Sequence, residues 1–140
     1  MSIVCWTEDM AVGVPEIDAQ HKQLLALVRD VHEAVVGGHG HEKAEKALES
    51  LCNYTVEHFA TEEKYMDVQT YADYDRHMLE HMNCSTKALD FLQAYDEVSD
   101  LDMKAFLDYV ANWVCEHILG VDKGLGEHVL QRGGGPVASA

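Results

Sequence analysis

The sequence predicts an all-α fold, an antiparallel up-down four-helix bundle with an N-terminal arm, and three observations carry that expectation. Apolar residues recur at helical spacing in four long stretches. The only prolines, Pro15 and Pro136, lie outside those stretches, so no helix is broken from within. No run alternates β-branched with polar residues over the length of a strand. With 140 residues, 47% of them hydrophobic, the chain has the material for one core and one domain.

The first 17 residues, with Trp6, form the arm that packs across the bundle. The first helix is expected from Asp18, as N-cap after Pro15, to Val36, with Leu24, Leu25, Val28, Val31 and Val35 on its apolar stripe. The glycine-rich loop Gly37 to His41 ends it. The second runs from about Glu42 to Met66, burying Leu48, Leu51, Cys52, Thr55, Phe59 and Met66. The third runs from about Tyr71 to Tyr95, with Thr70 and Asp73 as a capping box and Tyr74, His77, His81, Cys84, Ala88, Phe91, Leu92 and Tyr95 inward. The fourth runs from Asp100 to about Val121 behind a second box, Ser99 with Asp102, and buries Phe106, Val110, Trp113 and His117. Short connections make neighbouring helices antiparallel. Residues 1–132 are read as the helical domain and 133–140 as a flexible glycine-rich tail.

The formal net charge is −15, which disfavours nucleic acid and anionic membranes, because both reward Lys and Arg. No apolar run approaches the ~20 residues of a membrane span. The start "MSIVCWTEDM" has neither the basic residues nor the apolar stretch of a signal peptide, so a cytoplasmic location is expected. Cys5, Cys52, Cys84 and Cys115 form no C-x-x-C pair and read as reduced, buried thiols.

Nine histidines are the compositional anomaly. His21 lies near the start of the first helix, and His58, with Glu62 one turn later, near the end of the second. His77 and His81 lie near the start of the third, and His117, followed by Asp122, near the end of the fourth. Alternating helix directions bring these seven groups to one end of the bundle, among inward-facing apolar residues. A single such histidine is more often a hydrogen-bonded core residue. Seven converging donors left without a partner would cost a few kcal/mol each, roughly, and a metal removes that cost. His39 and His41 fall in the loop at the opposite end. His32 is ~16 Å further along the first helix than His21. His128 is expected to be exposed beyond the fourth helix.

"HMLEH", His77 to His81, is literally the H-x-x-E-H of some zinc peptidases. One zinc uses about four ligands and would leave three histidines unexplained. Glu80 also sits ~100° round from His81, off the inward stripe, and reads as a surface residue or an outer partner of the ligands. Two adjacent ions fit better, with Glu62 and Asp122 shared as bridges together with one solvent-derived oxygen. Six-coordinate ions are then filled unequally: three histidines complete one, and two leave a vacancy on the other. Mixed N/O donors and this ligand number favour iron over zinc. Glu-x-x-His, which oxidising di-iron bundles use, is absent from the sequence, so reversible oxygen binding is favoured over oxygen cleavage. Asp122 lies five residues after His117, out of phase with a regular helix by ~140°, and Gly120 permits a local loosening or a π-like turn that would correct it.

The segments "GVPEIDAQH", "HFATEE", "HMLEH" and "WVCEHILGVD", in that order and preceded by Trp6, resemble those of the bacterial single-domain hemerythrins over about residues 6 to 122. The resemblance implies a reversible oxygen-binding protein (carrier, store or supplier) with two non-heme iron ions under an oxo or hydroxo bridge. By position, it implies His77, His81 and His117 on the closed iron, His21 and His58 on the open one, and Glu62 and Asp122 as bridges. Oxygen would bind at the open iron as a hydroperoxide and leave again, with no side-chain acid required and hence no catalytic residue. Leu24, Phe59, Trp113, Val114 and Ile118, each a turn from a ligand, would form a dry pocket that slows autoxidation. Val114 stands where a bulkier aliphatic is expected, which would widen access. The alternatives are a di-iron redox enzyme acting on nitric oxide or peroxide, and an oxygen sensor. The expected partner is molecular oxygen, without nucleic acid or membrane insertion; a protein that receives the oxygen is not indicated.

Overall fold

The structure, a computed structural model, describes residues 6–38, 40–94 and 100–137, without the side chains of residues 41 and 100–102. Cys5, His39, Tyr95 and the Ser99–Asp102 capping box lie outside the described residues. A 3-10 turn, Glu8–Met10, opens the arm, and helices follow at α1 (Pro15–Val36), α2 (His41–Glu63), α3 (Tyr74–Gln93) and α4 (Asp100–His117). A π-helical turn, Ile118–Asp122, carries α4 straight into α5 (Lys123–Gln131). The fold is the expected all-α bundle: α1 packs on α2 and α4, and α2 packs on α3. Side chains close the ring between α3 and α4, where Phe91 stacks on Phe106 at 3.9 Å.

The helix ends depart from expectation for local reasons. Helix α1 starts at Pro15, whose fixed φ and missing N–H suit a first helical position. Asp18 is therefore inside the helix rather than its cap. Its carboxylate instead accepts hydrogen bonds from the Val12 and Gly13 amides at 2.8 and 3.3 Å, which ties the arm down. After α2, Asp67 closes a turn of its own: Oδ1 accepts from the Gln69 amide at 2.9 Å, and the carbonyl from the Tyr71 amide at 2.8 Å. That turn delays α3 to Tyr74, and Asp73, its N-cap, makes no side-chain cap bond. The Thr70–Asp73 box does not form; the Thr70 hydroxyl lies 3.4 Å from His128 Nε2.

The fourth helical rod runs ten residues beyond the expected Val121, to Gln131, because Leu125 and Val129 have a core to bury in. His128 consequently sits half-buried on α5, its ring 5.2 Å from that of Tyr71, rather than in solvent. The beginning of the glycine-rich tail is held as well: Arg132 Nη2 donates to the Tyr65 and Gly135 carbonyls, both at 2.9 Å, and the Val137 amide donates to the Lys64 carbonyl at 2.7 Å.

The described apolar residues form two clusters rather than one. The larger contains Leu24, Leu25, Leu48, Leu51, Phe106, Val114 and Ile118; the smaller contains Val12, Val14, Ile17, Tyr65, Met66, Leu125 and Val129. Along α1, α2 and the α4–α5 rod the chain crosses from one cluster to the other through buried histidines and carboxylates. The polar layer thus lies between two dry caps. Gly126 closes the smaller cap: a Cβ there would lie 2.1 Å from the Val12 carbonyl oxygen. Gly126→Ala should therefore push the arm off α5 and cost about 2–3 kcal/mol, read as a lower midpoint in urea unfolding.

Candidate metal centre

Five imidazoles and two carboxylates meet in the polar layer, each 3% exposed or less: His21, His58, His77, His81, His117, Glu62 and Asp122. Their donor atoms fall into two groups, each within 4.8 Å. One is His77, His81 and His117, and the other His21 and His58; Glu62 and Asp122 belong to both. The carboxylates divide their oxygens between the groups. Glu62 Oε2 faces His21 and His58 Nε2 at 3.0 and 2.8 Å, while Oε1 faces His81 and His77 at 2.9 and 3.2 Å. Asp122 Oδ2 lies 3.0 Å from His21, and Oδ1 lies 3.0 Å from both His77 and His117. The π turn makes this possible. It brings Asp122, five residues after His117, back to the face that His117 occupies.

The donor set fits metal ions. His58 Nδ1 faces the amide oxygen of Gln20 at 2.8 Å, an orientation fixed because Gln20 Nε2 donates to Thr61 Oγ1 at 3.0 Å. His81 Nδ1 faces Glu63 Oε2 at 3.2 Å, and His117 Nδ1 faces Glu80 Oε1 at 3.1 Å. These partners are acceptors, so the Nδ1 atoms carry the protons, and the Nε2 lone pairs point inward. There His117 Nε2 meets those of His77 and His81 at 3.2 Å each, and among the described residues neither oxygen of Asp122 has a well-aligned donor. Converging lone pairs and carboxylates repel unless positive charge lies among them. Spacings near 3 Å are those of adjacent donors about 2.1 Å from one ion.

Without metal, protons are the available cations. Burial disfavours the charged form of His21, but Asp122 and Glu62 outweigh it and push its pKa up to about 9. His117, likewise buried but facing Asp122 and Glu62, rises to about 10, and His77 is raised for the same reasons. Burial and the neighbouring Glu62 oppose ionisation of Asp122, yet the histidines, His117 foremost, hold it at about 2; they keep Glu62 well below its ordinary value against the same burial. A histidine raised above its ordinary 6.5 stabilises the folded state fully below that pH and ceases to do so as pH rises through its folded value. The two carboxylates act in the opposite sense, losing their contribution only in strong acid. The metal-free protein should therefore melt at progressively lower temperature from pH 7 to pH 10 in scanning calorimetry. Metal supplies the missing charge, so the loaded protein should lack that slope and release protons as metal binds.

The expected pocket residues lie against the same groups. Phe59 stacks on His81 with ring centres 3.9 Å apart, and Trp113 stacks on His117 at 4.4 Å. Leu24, Trp113 and Val114 line a small apolar cavity of about 20 Å³ together with Cys52 and Cys84, and Ile118 is buried in the π turn. Cys52, Cys84 and Cys115 are free and half-buried, and burial pushes the Cys52 and Cys84 thiols up to about 11 and 12. Sequence reasoning missed Gln20, Glu63 and Tyr71, whose hydroxyl lies 3.0 Å from His77 Nδ1. Their signal was adjacency: Gln20 precedes His21 and Glu63 follows Glu62. A buried metal-facing histidine also needs a partner on its outer nitrogen.

Fold and donor set together define a helical-bundle metalloprotein with a cation site of histidines and shared carboxylates. The chain belongs to the hemerythrin family: the model of the hemerythrin HHE cation binding domain matches residues 12–129. It is 29% identical over 127 residues to a bacteriohemerythrin of Pseudomonas aeruginosa, covering 89% of this chain and 80% of that protein. It is likewise 29% identical over 124 residues to one of Methylococcus capsulatus, covering 88% and 94%. A myohemerythrin of Theromyzon tessulatum is 26% identical over 117 residues, covering 84% of this chain and 86% of that one. The crystal structure of a wild-type hemerythrin superposes with a TM-score of 0.78 at 27% identity, over 90% of this chain and 97% of its own. Among the described residues, no helix is long and apolar enough to cross a membrane.

Proposed function

We propose that the chain binds molecular oxygen reversibly at two non-heme iron ions, as an oxygen carrier, store or supplier. His77, His81 and His117 would hold one ion, His21 and His58 the other, and Glu62 and Asp122 would span both. The observation that carries this reading is the division of carboxylate oxygens, one of each facing each histidine group. When bound, the iron pair supplies the electrons that oxygen takes up and returns.

The protein's part is to leave room on one side and keep the surroundings dry. Three histidines crowd one group and two the other, so the His21–His58 side is where a small ligand enters. The rings of Phe59 and Trp113 plate His81 and His117, and Leu24, Val114 and Ile118 close the layer from the larger apolar cluster. Excluding water there withholds the protons that would let a reduced oxygen species escape as peroxide.

Anaerobic reconstitution with ferrous iron tests the proposal. Two irons per chain, with an absorption change on exposure to oxygen that reverses under vacuum, would support it. One iron per chain, or a change that vacuum does not reverse, would refute it.

A further inference from the structure

The five histidines are not backed alike. A hydrogen-bond acceptor on the outer nitrogen of a metal-bound imidazole raises its donor strength, and an anionic acceptor does so more than a neutral one. His81 is backed by the Glu63 carboxylate at 3.2 Å, and His117 by the Glu80 carboxylate at 3.1 Å. Both belong to the three-histidine group, whose third member, His77, faces the uncharged Tyr71 hydroxyl at 3.0 Å. On the other side, among the described residues, His58 has only the neutral amide of Gln20, and Nδ1 of the fully buried His21 has no partner. The anionic acceptors thus stand on one half of the site.

We propose that Glu63 and Glu80 are positioning residues that polarise the iron pair: they make the His77–His81–His117 half the stronger electron donor, so that iron there is oxidised first. The inference rests on the two-iron reading above. Each carboxylate reaches across a helix boundary, Glu63 from α2 to α3 and Glu80 from α3 to α4. A purely structural role as a tie between helices is the competing explanation. The two roles separate on charge. Glutamine keeps an acceptor oxygen of nearly the same reach, so Glu63→Gln and Glu80→Gln preserve the tie and remove the anion. Arg76 Nε lies 3.4 Å from the second oxygen of Glu80, so Glu80 is the more screened of the two and the smaller effect is expected there.

The test is potentiometric titration of the iron-loaded protein, with iron counted first and the one-electron-oxidised form followed by Mössbauer spectroscopy. Glu63→Gln should make the first oxidation about tenfold less favourable, a rise of about 59 mV for one electron, and leave the second nearly unmoved. Gln20→Glu, which places an anion behind His58, should instead favour the second oxidation, so both variants narrow the gap between the steps from opposite sides. Steps that move together, or a first step shifted less than twofold in Glu63→Gln while only its melting temperature falls, would overturn the proposal in favour of the structural tie. If Glu63→Gln does not load iron, Gln20→Glu decides alone: a second step left in place overturns it. One iron per chain in the unaltered protein would overturn the two-iron reading and, with it, the polarised pair.

Discussion

Replacing Glu62 with alanine should abolish paired iron binding: iron per chain falls from two to one or none, and the reversible oxygen-dependent absorption change disappears. The reason is the number of donors that meet at this one side chain. Oε2 faces His21 and His58, and Oε1 faces His77, His81 and, at 3.8 Å, His117. On the two-iron reading, alanine would leave five imidazoles around two ions with Asp122 as the one shared carboxylate among the described residues. It removes a ligand from each ion and a negative charge from a site that is fully buried. Outer partners of metal ligands already change affinity by roughly 10- to 100-fold, so a ligand common to both ions should cost at least about 100-fold. Colorimetric iron analysis after anaerobic reconstitution and gel filtration measures it. Glu63→Gln, which keeps every inward-facing donor and an acceptor behind His81, should lose less iron than Glu62→Ala. A Glu62→Ala protein that retains two irons and reversible uptake would show that Glu62 does not span the pair.

The bundle was legible in the sequence because helical periodicity, proline placement and the positions of five histidines agree with one another. Each signal is local, and up-down connection converts local positions into one shared level. The helix ends were less legible because they depend on competition. Asp67 makes its own turn and takes the start of α3 away from Thr70, while Asp18 serves the arm's amides because Pro15 already begins the helix. The length of the last helix was hidden for a different reason. Glycine is a poor helix former, and two of them follow Asp122, yet Gly126 is required by the close approach of Val12, a contact between residues more than a hundred positions apart. Gln20 and Glu63 escaped as partners because they lie beside the inward stripes, and Tyr71 because it lies in the turn ahead of α3. Their roles follow only once each imidazole has a direction.

Of the local loosening and the π-like turn that the His117–Asp122 spacing left open, the structure has the π turn, and its geometry gives the sharpest contrast between two nearly identical changes. A π turn is in effect one residue inserted into an α-helix. Four α-helical steps rotate the chain by about 400°, returning to within about 40° of the starting face, whereas five overshoot to about 140°. Ile118–Asp122 absorbs the fifth residue by widening, so Asp122 and everything beyond it keep the faces they would have four steps after His117. Among the described residues nothing lies within 4 Å of a Cβ placed at Gly120, so their packing does not hold that residue in place. Deleting Gly120 should therefore restore a regular α-helix while the aspartate still faces both histidine groups and Leu125 and Val129 stay in their core. The shortened protein should bind two irons. Inserting one alanine after Gly120 exceeds what the turn can absorb and rotates all that follows by about 100°. The aspartate then leaves the site, Leu125 and Val129 turn toward solvent, and the seat beneath Val12 is lost. Iron content and urea unfolding of the two variants measure the contrast: near-native values for the deletion, and loss of iron with a fall of several kcal/mol, roughly, for the insertion. Equal damage in both would mean that the turn is needed for more than register.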